Sequence, residues 1–195
     1  MIKIKNIPEA AIKIPLPDVF QETNYSCGAA ALASLFNYYS KGPIDERQIG
    51  QLMGMTKSGT DPYQIVSAVK KVKLRYKEYR NMNITKLKRS IYLKRPVMIM
   101  LQAWGNKQKY ESCGNNCKDG HWLIAIGYDK ENFYFEDPSL YRTVGYIRIN
   151  ELDSRWHDVE SYSSKDTKVH FTDHYGIAIW GNRIAYKQFR AREVM

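Results

Sequence analysis

Residues 27–39, CGAAALASLFNYY, set Leu32, Leu35, Phe36 and Tyr39 at the i, i+3, i+4, i+7 spacing of one helical face. Ala29, Ala30, Ala31 and Ala33 surround that face, and their methyl groups let another element approach the helix closely. A chain with such a helix near its start has to build its core around it. Cys27 falls at the beginning of the helix, off the apolar face. The unpaired N–H groups and positive dipole end found there favour a thiolate and can bind an anion. Six residues upstream stands Gln21, whose side-chain amide could supply one donor to a developing oxyanion, with the Cys27 backbone N–H as another. Cysteine is also a common buried space-filler, so a nucleophile needs a histidine partner to be argued.

The segment GHWLIAIGYDKENFYFEDPS offers that partner. His121 opens an apolar run of strand character, 129–132 has turn composition, and 132–136 is a short returning strand that stops at Asp137-Pro138. A hairpin of this kind carries the acidic pair Glu136-Asp137 back toward His121. One imidazole nitrogen can then take the thiol proton while a carboxylate orients the other. The pleat alternates faces, so a one-residue change of register exchanges Glu136 for Asp137 as the orienting group. Spacing alone leaves that choice open.

Elsewhere Asp45 with Gln48 has the form of a capping box opening a helix through Ile49, Leu52 and Met53. Asp61-Pro62 opens another, with Ile65, Ala68, Val69 and Val72 on its buried face. A third is expected over 85–94, with Ile84, Leu87 and Ile91 inward. Strands are expected over 96–103, 122–128, 132–136, 142–149 and 175–180. Helices first and a mostly antiparallel sheet afterwards is the order of an α+β domain. The 195 residues suit one domain, 1–195, and 44% hydrophobic residues can build its core. The order leaves the Cys27 helix and the His121 hairpin on opposite walls of a cleft.

Gln21, Cys27-Gly28, His121 and Asp137-Pro138, in this order and spacing, resemble the C39 peptidases, papain-like cysteine proteases best known for trimming double-glycine leader peptides from bacteriocins. The resemblance runs from about Pro17 to Gly181 and includes stretches similar to GTDPYQIV, RPVMIMLQAW, SRWHD and HYGIAIW of stand-alone C39-like proteins. It implies a papain-like fold, Cys27 as nucleophile, His121 as general base and acid, Asp137 as orienter and Gln21 as oxyanion donor. No cofactor is implied, and the substrate is a peptide or protein. Transporter-linked members usually carry Asp before the Cys. Here Ser26 stands there, and it is expected to cap the helix equally well. An acyltransferase or transpeptidase would use the same residues, with an amine in place of water, and a non-catalytic peptide-binding domain would keep only the fold.

The sequence holds no ~20-residue apolar span, no GxxxxGK(S/T) phosphate loop and no signal-peptide h-region, so a free-standing cytoplasmic protein is expected. The net charge of +10 is concentrated: Lys70 to Arg95 holds eleven basic residues against Glu78 alone. That stripe could steer an anionic partner, although such a run is ordinarily a solvated helix face, and no nucleic-acid motif accompanies it. Cys113 and Cys117 frame a turn before His121. Two reduced thiols rank first there, a disulfide second, and a metal site with His121 third, because the spacing is not a common zinc pattern. His157, in a short helix ELDSRWHD, and His174 could serve the cleft edge but are expected to be structural, and nothing in the sequence singles out His170.

Overall fold

The computed structural model describes residues 11–103, 119–160 and 170–182, with Lys165 and Lys168. Its first part is helical: after a two-residue strand β1 (Ile12–Lys13) come α1 (Cys27–Tyr39), α2 (Glu46–Met53) and α3 (Pro62–Lys71). Then follow β2 (Arg75–Tyr79), α4 (Ile84–Tyr92), β3 (Val97–Gln102), β4 (Gly120–Tyr128), β5 (Asn132–Glu136) and β6 (Gly145–Arg148). The last elements are α5 (Ile149–Arg155), β7 (His157–Glu160), β8 (His170–Asp173) and β9 (Gly176–Trp180).

Six strands lie in the order β2-β9-β3-β4-β5-β6, and β1 adds beside β4 to make a seven-stranded sheet. Every pairing is antiparallel, and β7 with β8 forms a separate two-stranded sheet. The helix α1 packs against β4 and against α2. It is therefore covered on more than its leucine stripe: of its residues only Asn37 is not buried, and the alanines allow the close approach. Leu32, Leu35 and Phe36 are fully buried, each worth about 1.5–3 kcal/mol of transfer free energy.

Caps explain where the helices begin. The Asp45 carboxylate accepts the Gln48 N–H at 2.9 Å, the forward arm of the expected box. At α3 the Asp61 N–H donates to the Gln64 side chain at 2.8 Å, and Pro62 occupies the first turn. The helix expected over 85–94 starts one residue earlier and ends at Tyr92, because the Asn83 side chain accepts the Lys86 N–H at 2.9 Å. Ser26 departs from expectation. It sits at the N-cap of α1 without bonding the helix, and its hydroxyl instead meets the Thr23 N–H and hydroxyl at 3.0 and 2.9 Å.

Four strands were not expected, the two-residue β1 among them, and one is shorter than expected. Arg75–Tyr79 lies inside the basic stripe, so that stripe is not wholly a helix surface; it pairs with β9. Several of its cations stack on rings, Lys77 over Tyr79 and Arg95 over Trp180 among them. His157 belongs to β7, not to the short helix, which ends at Arg155. β8 pairs with it. The strand expected from 142 starts at Gly145, since Arg142 adopts φ 53° and cannot extend the ladder. No helix among the described residues is long and apolar enough to cross a membrane.

Candidate active site

Cys27 opens α1 with 9% of its surface exposed. The first helical bond is Ala30 N–H to Ser26 O at 3.0 Å, and the Ser26 side chain does not cap the turn before it. The N–H groups of Cys27, Gly28 and Ala29 find no acceptor among the described residues. Unpaired donors at the helix end beside a thiol can hold an oxyanion.

The loop before the helix is tied down at both ends. The Gln21 N–H donates to Pro138 O at 2.9 Å, which fastens this loop to the turn after β5. The Glu22 N–H donates to the Glu46 carboxyl of α2 at 3.1 Å. The Gln21 side-chain nitrogen donates to Thr23 O at 2.6 Å, committing one amide hydrogen, and its oxygen is buried without a partner among the described residues.

The hairpin of β4 and β5 brings the other residues. Asp129 makes its turn, its Oδ1 accepting the N–H groups of Glu131 and Asn132 at 2.7 Å each. The register sets Glu136 opposite Ile124, and the pleat turns paired residues to one side of the sheet. His121, three residues from Ile124, faces the other side, as does Asp137 after Glu136. Accordingly His121 Nε2 meets Asp137 Oδ1 at 2.7 Å. Glu136 is occupied elsewhere, accepting the Val19 N–H at 3.1 Å.

His121 is 1% exposed and also hydrogen-bonds the Cys27 thiol. Burial by itself lowers the imidazole pKa, but the bonds to Asp137 and Cys27 outweigh it and raise the group to about 9. Burial works against the Asp137 carboxylate too, yet His121 and the Ser139 N–H and hydroxyl, at 2.9 and 2.8 Å, hold it below its ordinary value. Glu136, lacking such partners, is pushed by burial up to about 8 despite the Val19 N–H. Cys27, His121 and Asp137 thus form one connected chain of side chains.

A cavity of about 560 Å³ opens beside Cys27, walled by the turn 56–60, the Trp122 ring and β7. Trp122 is fixed by its indole N–H to Thr60 O at 2.8 Å. Gly120 leaves room for a neighbour: a Cβ there would fall 2.1 Å from the Asp158 carboxylate. Gly120→Ala is therefore expected to push Asp158 out of place and cost about 1–3 kcal/mol, read as a lowered Tm. An unchanged Tm would show that Asp158 moves freely.

The profile of the Peptidase C39 family matches residues 16–167, most of the chain. This chain belongs to the peptidase C39 family. Its fold agrees with solved C39 domains. A C39-like peptidase from Bacillus anthracis is 15% identical, covering 90% of this chain and 100% of its own, with a TM-score of 0.64. The peptidase domain of Streptococcus ComA, a bi-functional ABC transporter involved in quorum sensing, is 20% identical over 87% and 98%, with a TM-score of 0.59. A double glycine motif protease from an AMS/PCAT transporter, solved with the leader peptide, is 17% identical over 86% and 93%, with a TM-score of 0.57. At these identities the likeness is one of fold. No curated protein matches the chain.

Of the other expected residues in this C39 family member, Cys113 and Cys117 lie outside the described residues. Among those described, no group of three or more His, Cys, Asp or Glu is arranged to hold a metal. His174 lies against Asp173 and Asp153 at 2.6 and 3.0 Å, and its ring lies tilted at 42° to Trp156 with centroids 5.1 Å apart. Asp61, Asp158 and Glu160 line the cleft; the sequence offered Asp61 only as a helix start and the other two not at all. The motifs GTDP and SRWHD contain the first two. Their chemistry becomes visible only once β7 is known to run past Cys27.

Proposed function

We propose that this protein is a cysteine peptidase in which Cys27, His121 and Asp137 act together on a peptide bond. The observation that carries the reading is the continuous contact from the Cys27 thiol through the His121 ring to the Asp137 carboxylate. With the Cys27 proton already resting on His121, the sulfur attacks the carbonyl carbon; the C–N bond then breaks as His121 gives that proton to the leaving amine. Water, deprotonated by His121, attacks the thioester and releases the acid. The oxyanion is met by the N–H groups at the start of α1 and by the Gln21 amide.

Gln21 keeps one side-chain hydrogen for Thr23 O and has the second for the oxyanion. Gln21→Ala is expected to lower kcat by about 10²–10³, the size found for one oxyanion donor. KM should change little. A variant with full kcat and only a lower Tm would make Gln21 a loop fastener and remove it from the chemistry. The experiment that tests the whole reading is digestion of a proteome-derived peptide pool by wild type and by Cys27→Ala, with new termini read by mass spectrometry. Cleavage by wild type alone supports it, and identical pools from the two overturn it.

A further inference from the structure

The cavity beside Cys27 has an acidic wall assembled from two elements. Asp61 stands at the start of α3, and Asp158 and Glu160 lie on β7. Positions i and i+2 of a strand share a face, so β7 presents both carboxyls to the same side. Asp158 is 4% exposed and sits over Gly120, with its oxygen held by the Val159 N–H at 2.8 Å. Glu160 hydrogen-bonds Asp61. Among the described residues that line the cavity, Lys57 is the one cation, and it is exposed on the turn.

A second observation is independent of these charges. Thr60 lines the same cavity, is 7% exposed, and its hydroxyl oxygen has no hydrogen-bond partner among the described residues. Buried hydroxyls are normally satisfied, so a hydrogen-bonding partner belongs here. The three carboxyls are not arranged as a metal-holding group. An organic cation with several N–H groups answers both the carboxyls and the unpaired hydroxyl.

We propose that this cavity receives a cationic side chain, Lys or Arg, of the peptide whose acyl group reaches Cys27. The proposal rests on the peptidase reading for what the peptide does next, but not for its binding. Burial first, and then the bond to Asp61, raises the Glu160 carboxyl to about 10, so Glu160 keeps its proton while the cavity is empty. An ammonium or guanidinium takes the place of that proton, which leaves to solvent. Specificity then comes from the ion pair that only a cationic side chain forms with Glu160; an apolar or acidic one leaves that carboxyl protonated.

Two measurements test it. In the digested peptide pool, Lys and Arg should be enriched about tenfold at one position near the cut, a typical scale for a charge-assisted contact. Asp61→Asn with Glu160→Gln, which keeps the shape and removes the charge, should return that position to the composition of the pool. Cleavage without charge preference, or with a preference the double variant retains, overturns the proposal. The second measurement needs no turnover: agmatine is titrated into Cys27→Ala protein and followed by amide and indole NMR signals. Shifts at Gly120 and the Trp122 indole that weaken about tenfold with the two carboxyls removed support it, and absence of shifts overturns it. An uncut pool together with agmatine binding would sink the peptidase reading and leave the cation site standing.

Discussion

Cys27→Ala is expected to remove all peptide cleavage and to leave a folded protein. The thiol sits at the end of α1 and not on its leucine face, so its loss deletes one atom beside a cavity that already exists. The expected cost in stability is small, within about 1–2 kcal/mol, because little new void is made and alanine favours the helix. Activity falls to the uncatalysed level, since no acyl-enzyme can form without the sulfur. Cleavage of the pool by a Cys27→Ala protein of native circular dichroism would end the assignment. Amines added during wild-type turnover give a second reading of the same intermediate. Hydrolysis yields only new carboxyl termini, whereas a transferase yields amine conjugates.

What the sequence could and could not disclose follows from where the information lies. The α1 face, the Asp45 and Asp61 starts and the β4–β5 hairpin were legible because each is decided within a few neighbouring residues. Arg75–Tyr79 was not, since RYKEY has the composition of a solvated surface and becomes a strand only through β9, about a hundred residues later. The same holds for HDVE at 157–160, which pairs with β8. Ser26 was expected to cap α1, as any serine at that position can. Thr23, three residues before it, captures the hydroxyl, and that competition depends on the loop path set by Glu46. Glu136 and Asp137 were inseparable in the sequence for a related reason: the pleat distinguishes them, and its phase is fixed by pairing with Ile124 and not by composition. The acidic wall of the cleft went unnoticed because its members are some hundred residues apart and meet only in the folded chain.

His121→Ala should reduce kcat by about 10⁶ and Asp137→Asn by about 10⁴, because the base moves the protons and the carboxylate only orients and charges it. Glu136→Gln should stay within a few-fold of wild type, as it keeps an acceptor for the Val19 N–H and does not touch His121. A larger loss in Glu136→Gln than in Asp137→Asn would refute the assigned orienter. The pH dependence gives a separate check with a definite sign. His121 is raised from 6.5 to about 9, so its charged form contributes stability that is fully present below 6.5 and is lost as pH rises through about 9. Asp137 is lowered from 3.8, so its contribution is present above 3.8 and is lost as pH falls through its folded value. The wild-type Tm therefore gains most from this pair between about pH 4 and 6.5, and His121→Ala should flatten that gain. Activity follows the imidazolium, so kcat/KM should hold to about pH 9 and decline above it. Asp137→Asn removes the carboxylate that does most to keep the buried ring charged, and it should draw the alkaline limb toward lower pH. A limb that stays in place in Asp137→Asn would mean that the carboxylate does not govern the charge on His121, and the connected chain from Cys27 to Asp137 would lose its chemical meaning.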